Sequence, residues 1–260
     1  MGLDQYYTKP DVAKKCIEVM LEYADRDIRW IEPSAGTGSF IFDKTFKAYD
    51  LEPKAIGVEK ANWFDVVLPD VAFGVYGNPP YGERNTLSKK FIEKVVNNKH
   101  CKVIAFLLPT SFNKHTLQKV FTSKWILLHK YTPNEDSFIY NGDDYKIPCV
   151  FQVWVRKSFI TGVDLREVER KDFDNKHFSI VKSDGDIFVM GAAPKTVKFP
   201  NEVNSNNRGY WLKSKIPLQE LIANIQSTDW RGNSSASGGV YWLNKTEFLN
   251  CYEKHNLKGE

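Results

Sequence analysis

Polar and apolar positions alternate along the first 157 residues in a way that marks successive helices and strands. Val12, Cys16, Val19 and Met20 recur at helical spacing, which predicts a helix over residues 10–23 with a proline in its first turn, where no backbone N–H is needed. Ile28, Trp30 and Ile31 then mark a short strand over 27–32. Residues 33–39 are small and Gly-rich, and Phe40 to Phe46 reads as an apolar helical face. This is a strand, a tight turn and a helix, the opening of an α/β unit.

Strands are predicted over 46–49, 55–58 and 73–76, and an amphipathic helix over 87–96. The run VIAFLL at 103–108 is apolar throughout, as expected of a strand buried on both faces. A helix over 112–121 and two late strands, 126–131 and 150–155, complete the series. The alternation predicts an α/β fold with a doubly wound, mostly parallel sheet covered on both faces. After Lys157 the rhythm is lost while Asn, Ser, Gly, Lys and aromatics stay frequent. Residues 1–157 are therefore expected to form the main domain and 158–260 a C-terminal extension. The Gly-Asn-Ser-Ser-Ala-Ser-Gly-Gly run at 232–239 reads as a loop.

Composition narrows this picture modestly. With 42% hydrophobic and 14% aromatic residues among 260, the chain can fill a core, which argues against wholesale disorder. A net charge of +4 is compatible with a polyanionic partner without requiring one. The four cysteines, Cys16, Cys101, Cys149 and Cys251, show no CxxC or zinc-like spacing. No metal is expected, and the thiols read as free in a reducing compartment. No apolar run approaches the roughly 20 residues of a membrane helix, and the N-terminus lacks a signal-peptide core. The expectation is a soluble cytoplasmic protein with no membrane partner.

Candidate chemistry is densest at Asn78-Pro79-Pro80-Tyr81, directly after the strand at 73–76. Two prolines continue neither a ladder nor a helix and fix an extended corner at the strand's C-terminal end. Ligands of open α/β sheets bind at that end. The corner would present the Asn78 amide oxygen, the Pro79 carbonyl and the flat ring of Tyr81. An exocyclic amine on an aromatic ring needs such a set. Two acceptors on its hydrogens favour a pyramidal nitrogen, and stacking holds the base with about 1–3 kcal/mol. A capping turn with a buried tyrosine is the competing reading.

The second cluster is Glu32-Pro33-Ser34-Ala35-Gly36-Thr37-Gly38-Ser39-Phe40. Its small residues permit close approach of a ligand, and a helix following it would favour anionic groups. The acid four places before GxG suits an amine-bearing or cationic ligand. Taken alone, a plain tight turn is as good an account.

In order and spacing, the segment from Asp4 and Gln5 through Tyr6, Tyr7, Thr8, Lys9 and Pro10, then EPSAGTGSF, then NPPY, resembles the amino-methyltransferase family. Within that family it resembles the adenine-N6 DNA methyltransferases of the gamma arrangement in particular, in compact phage or viral form. The resemblance covers about residues 4–156. It implies a seven-stranded sheet of the class I methyltransferase type and S-adenosylmethionine as cofactor. Cofactor roles are implied for Tyr7, Thr8, Glu32, Ser34, Gly36, Thr37, Gly38 and Asn78. Asp50 resembles the acid on the ribose hydroxyls, with Glu59 as competitor, and Asn62-Trp63 resembles the pair that bonds and covers the adenine ring. VIAFLLPTSF and the stretch 133–156 resemble later motifs. There Phe138, in a loop, would stack on the flipped base opposite Tyr81, although core packing is an equal reading.

The implied reaction is direct methyl transfer to adenine N6 in nucleic acid, most simply DNA, with Asn78, Pro79, Pro80 and Tyr81 as the catalytic corner. His100 and His115 are expected at the surface or at helix ends, and no base stands out near the corner. Lys213, Lys215, Arg231, Tyr210, Trp211 and Trp230 are candidates to grip the strand, or else ordinary solvated and packed residues. The rivals are methylation of RNA adenine or of a protein glutamine amide, and a non-catalytic scaffold. A partner subunit or homodimer would suit the small C-terminal region.

Overall fold

The computed structural model describes residues 6–24, 27–134, 136–140, 142–167, 172–230 and 243–257. The chain divides into two compact units, Met1–Glu167 and Val168–Glu260.

In the first unit the elements follow one another as β1 (Tyr7–Thr8), α1 (Pro10–Ala24), β2 (Arg29–Glu32), β3 (Thr45–Asp50), β4 (Glu59–Lys60), β5 (Phe73–Gly77), α2 (Thr86–Val96), β6 (Cys101–Pro109), α3 (His115–Gln118), β7 (Trp125–Tyr131), β8 (Phe138–Tyr140), β9 (Asp143–Tyr145) and β10 (Cys149–Arg156). Seven strands form one sheet in the order β4-β3-β2-β5-β6-β10-β7. The first five run parallel, and β10 inserts antiparallel between β6 and β7. This is the seven-stranded, mostly parallel sheet of the class I methyltransferase fold.

Both faces of the sheet are buried, and the pleat of β6 shows how. Val103, Ala105 and Leu107 point into the core beneath α1, with Trp30, Tyr76 and Phe151. Ile104, Phe106 and Leu108 point into the opposite core, with α2 residues Phe91, Ile92 and Val95. Alternation to two apolar layers is what makes this strand read as an unbroken apolar run. No helix of the described residues is long and apolar enough to cross a membrane.

Three expected elements differ. The helix over 40–46 is absent: turns lead straight into β3 at Thr45. Twelve residues separate β2 from its parallel neighbour β3, about the minimum for a crossover, and the Gly-rich loop uses more than half of them. Phe40 and Phe42 still serve the core, Phe42 edge-on to Tyr76 at 5.3 Å, and Thr45 Oγ1 accepts the Phe42 N–H at 2.9 Å. The strand over 55–58 is replaced by β4, a pair of charged residues. Ile56 is fully exposed and Gly57 has φ +84°, while Glu59 pairs with Lys47 of β3. The helix over 112–121 is broken into a 3-10 turn, Thr110–Asn113, and the short α3. The buried Gln152 amide donates to the Phe112 carbonyl at 3.0 Å, which takes one acceptor out of a continuous helix.

Residues 158–167 pack on the first unit, although their composition groups them with the C-terminal region. The Leu165 N–H donates to the Leu127 carbonyl at 2.8 Å. The Arg166 guanidinium lies 5.1 Å over the Trp154 ring, donates to the carbonyls of Phe121 and Trp125, and pairs with Asp164 at 2.8 Å.

The second unit contains a four-stranded antiparallel sheet, built from β11 (Phe178–Val181), β12 (Ile187–Met190), β13 (Val197–Lys198) and β14 (Gly209–Ser214) in the order β11-β14-β12-β13. Helices α4 (Leu218–Ser227) and α5 (Lys245–Asn256) contribute Leu221, Ile225, Phe248 and Tyr252 to one core with Phe178, Ile187 and Leu212. Tyr210 and Trp230 belong to that core: the Tyr210 hydroxyl donates to the Leu243 carbonyl at 2.6 Å, and Trp230 stacks on Phe248 at 4.8 Å. Lys213 pairs with Asp186 and Lys215 with Asp174. Of the residues proposed to grip a strand, Trp211 is the aromatic left partly exposed. Arg231 and the run at 232–239 lie outside the described residues, as do Asp4 and Gln5.

Candidate active site

The direction of chain progression across the sheet reverses between β2 and β5, which lie side by side. In open α/β sheets the crevice outside such a switch point is where ligands bind. β2 ends there on Glu32 and β5 on Gly77, so the Glu-Pro-Ser loop and the Asn-Pro-Pro-Tyr corner leave the sheet next to each other. They are tied together: Ser34 Oγ donates to the Asn78 carbonyl at 3.0 Å.

Gly77 makes this join possible. Its φ of +123° is open chiefly to glycine, and a side chain there would run into the carboxyl of Glu32, whose Cδ lies 2.9 Å from the position of such a Cβ. The strand extends one residue beyond the expected 73–76, and this glycine carried no expected role. Its immediate precedence to the corner was the available signal.

Glu32 is fully buried. One carboxyl oxygen accepts the Ser34 N–H at 3.1 Å, and the other has no hydrogen-bond partner among the described residues. Burial pushes its carboxyl well above the usual range. The nearby charge of Asp50 adds to this, and hydrogen bonds from Ser34 oppose it. Asn78 Oδ1 is likewise buried without a partner, and so is Thr8 Oγ1. Each unmet buried polar group costs about 1–3 kcal/mol. Glu32 and Asn78 lie at the adjoining ends of β2 and β5, and a ligand bearing N–H donors between them would remove both costs.

The Gly-rich loop is held down by its own chain. Asp50 Oδ2 accepts the Gly36 N–H at 2.7 Å, and Asp50 Oδ1 accepts the Glu52 N–H at 2.8 Å. Gly36 has φ +50°, and the Tyr7 ring lies so close that a Cβ there would be 2.9 Å from Tyr7 Cε1. Gly38, at φ +83°, is similarly closed against Ala55. Thr37 is exposed beside Ser39. Asp50 thus stands at the loop, at the end of its strand, whereas Glu59 is engaged with Lys47 on the sheet edge.

Asn62 and Trp63 are placed otherwise than expected. Asn62 Oδ1 caps a short turn by accepting the Phe64 N–H at 3.2 Å. Trp63 is 2% exposed, stacked against Phe91 at 6.2 Å with Lys94 over its ring at 5.2 Å. An open groove of about 430 Å³ lies nearby, lined by Ile31, Phe46, Tyr49 and Leu68 among others. It contains none of the expected site residues.

Phe138 is on strand β8, not in a loop. Its neighbour across the ladder is Thr8 of β1, and β9 completes a small three-stranded sheet. Thr8 and Phe138 share one face of this sheet, with Phe138 in the core, while the ring of the preceding Tyr7 lies against Gly36 of the Gly-rich loop. Phe138 is fully buried and stands edge-on to Tyr81, with ring centroids 6.5 Å apart and planes at 86°. Two rings so arranged leave no slot for a base between them. The Tyr81 hydroxyl is buried without a partner among the described residues, and burial, with Cys149 and Cys16 nearby, pushes it well above the usual tyrosine range. Pro79 is buried and Pro80 exposed. The Pro80 carbonyl accepts from Ser88 Oγ at 3.1 Å, which fastens the corner to α2.

No protein-family profile and no curated protein matches the sequence. Among solved structures, the 23S rRNA methyltransferase ErmE superposes with a TM-score of 0.44 at 12% identity, over 61% of this chain and 73% of that one. A Pyrococcus horikoshii protein provisionally described as an RNA methyltransferase gives 0.44 at 13%, over 59% and 87%. An Escherichia coli protein, described in the same provisional way as a methyltransferase, gives 0.39 at 13%, over 56% and 86%. Likeness at this level concerns the fold.

Proposed function

We propose that the chain transfers a methyl group from S-adenosylmethionine to the N6 amine of adenine in nucleic acid, with DNA as the first acceptor to test. The observation that carries this reading is the pair of buried, donorless oxygens, Asn78 Oδ1 and Glu32 Oε2, on the two strand ends that flank the switch point.

The residues present fit the cofactor. Glu32 suits its amine, Asp50 its hydroxyls, and Tyr7, Thr8 and Ser34 border the same crevice. When bound, S-adenosylmethionine supplies an electrophilic methyl on a sulfonium. The chain's own task is to hold the acceptor in line, which can contribute several kcal/mol to lowering the barrier. Asn78 Oδ1 accepts one hydrogen of the exocyclic amine and the Pro79 carbonyl the other, which localises the nitrogen lone pair. Tyr81 supplies an aromatic face for the base. In a duplex the base must first leave the stack, at a cost of a few kcal/mol.

Transfer of labelled methyl to DNA, RNA and protein acceptors tests the reading, alongside calorimetry with S-adenosylmethionine. Cofactor binding and label in nucleic acid are expected. Label confined to protein would instead assign a glutamine amide, and no heat of cofactor binding would leave a scaffold.

A further inference from the structure

Immediately after the Asn-Pro-Pro-Tyr corner the backbone enters the left-handed region three times within four residues. Gly82 has φ +66°, Arg84 φ +51° with ψ +33°, and Asn85 φ +64° with ψ +23°. Glycine accepts this region freely and asparagine tolerates it, but arginine is strained there. The turn is fixed on both sides. Asn85 Nδ2 donates to Ser111 Oγ at 2.9 Å, on the loop that follows β6, and the Leu87 N–H returns to the Tyr81 carbonyl at 3.2 Å. A Cβ on Gly82 would meet Leu87 Cγ at 2.8 Å. The loop therefore has one shape, and that shape holds Arg84 out.

The Arg84 side chain does nothing visible for the fold. It is 90% exposed, and Glu83, itself 88% exposed, is 3.8 Å away. A strained backbone that presents a long cation to solvent, three residues from the proposed base-holding ring, is a feature that function explains better than packing. A guanidinium presents a planar fork of donors that matches a phosphate. Resting on the proposed function, we infer that Arg84 is a positioning residue that grips a backbone phosphate of the strand carrying the target adenine. The phosphodiester is common to DNA and RNA, and contact with it sets the register of the strand without reading its sequence.

The test compares the whole chain with its Arg84→Gly and Arg84→Lys variants. Binding of fluorescein-labelled single- and double-stranded DNA oligonucleotides, and of the matching RNA, is measured across a range of salt. Arg84→Gly is expected to weaken binding about five- to tenfold and to reduce the salt slope by about 0.7 to 0.9, as loss of one phosphate contact requires. It should raise KM for nucleic acid with little change in kcat, leave cofactor affinity unaltered, and raise the melting temperature, because glycine relieves the turn. Arg84→Lys should keep the salt slope and recover part of the affinity. Unchanged nucleic-acid affinity and slope in Arg84→Gly, with methylation intact in the parent, would overturn the assignment of Arg84 alone. Loss of cofactor binding in Arg84→Gly would mark a structural role and overturn it too. Failure of the parent chain to bind any of the oligonucleotides would remove the proposed function together with this inference.

Discussion

At the scale of single residues, Glu32 is the most exacting position. A buried carboxyl with one oxygen unpartnered favours the protonated form, and its pKa in the folded chain stands well above the ordinary value. The unfolded chain gives up this proton at ordinary carboxylate pH, so it binds fewer protons than the folded chain above that pH. Glu32 therefore costs stability progressively as pH rises through and beyond the ordinary carboxylate range. Glu32→Gln keeps the shape and an acceptor for Ser34. Thermal melts should show the variant more stable than the parent at neutral pH, with the gap closing in acid. The same variant should bind S-adenosylmethionine at least tenfold more weakly. A variant less stable than the parent at neutral pH would mean that Glu32 has an unseen cationic partner. Glu32 was legible in the sequence as an acid before a Gly-rich bend. Its isolation was not, because burial and the missing partner exist only once β2 and β5 are side by side.

At the scale of elements, the corner depends on how β5 ends. Gly77→Ala would meet both an unfavourable φ and the Glu32 carboxyl. The expected cost is about 1–3 kcal/mol in a denaturant titration, together with a loss of turnover greater than tenfold as Asn78 shifts. Normal turnover would show that the exact path out of β5 is unimportant. The elements that sequence pattern identified well are those with long apolar runs or strong periodicity, such as β6, β10, α1 and α2. Phe40, Phe42 and Phe46 matched a helical face equally well, yet the span available between β2 and β3 left no room for one. Trp63 resembles a ligand-facing aromatic through the Asn62-Trp63 pair, whereas Phe138 reads equally as a stacking ring or a core residue. Both are core residues here.

At the scale of the whole molecule, the first unit carries the fold and the candidate chemistry, and the second is a separately packed α+β body. Order and spacing of motifs made the sheet type readable before any coordinates. The surface ion pairs of Lys213 with Asp186 and of Lys215 with Asp174 were not readable, because the partners lie 27 and 41 residues away in the chain. The proposed function depends most on Asn78 Oδ1, which is buried with no hydrogen-bond partner among the described residues. The most direct measurement incubates the full chain and its Asn78→Ala variant with S-adenosylmethionine and adenine-containing DNA or RNA, digests the nucleic acid and identifies the nucleosides. The account predicts N6-methylated adenine from the parent and none from the variant, with cofactor affinity in the two within a few fold. Equal yields of N6-methylated adenine from both proteins, or a methyl group on any atom other than the exocyclic nitrogen, would contradict it.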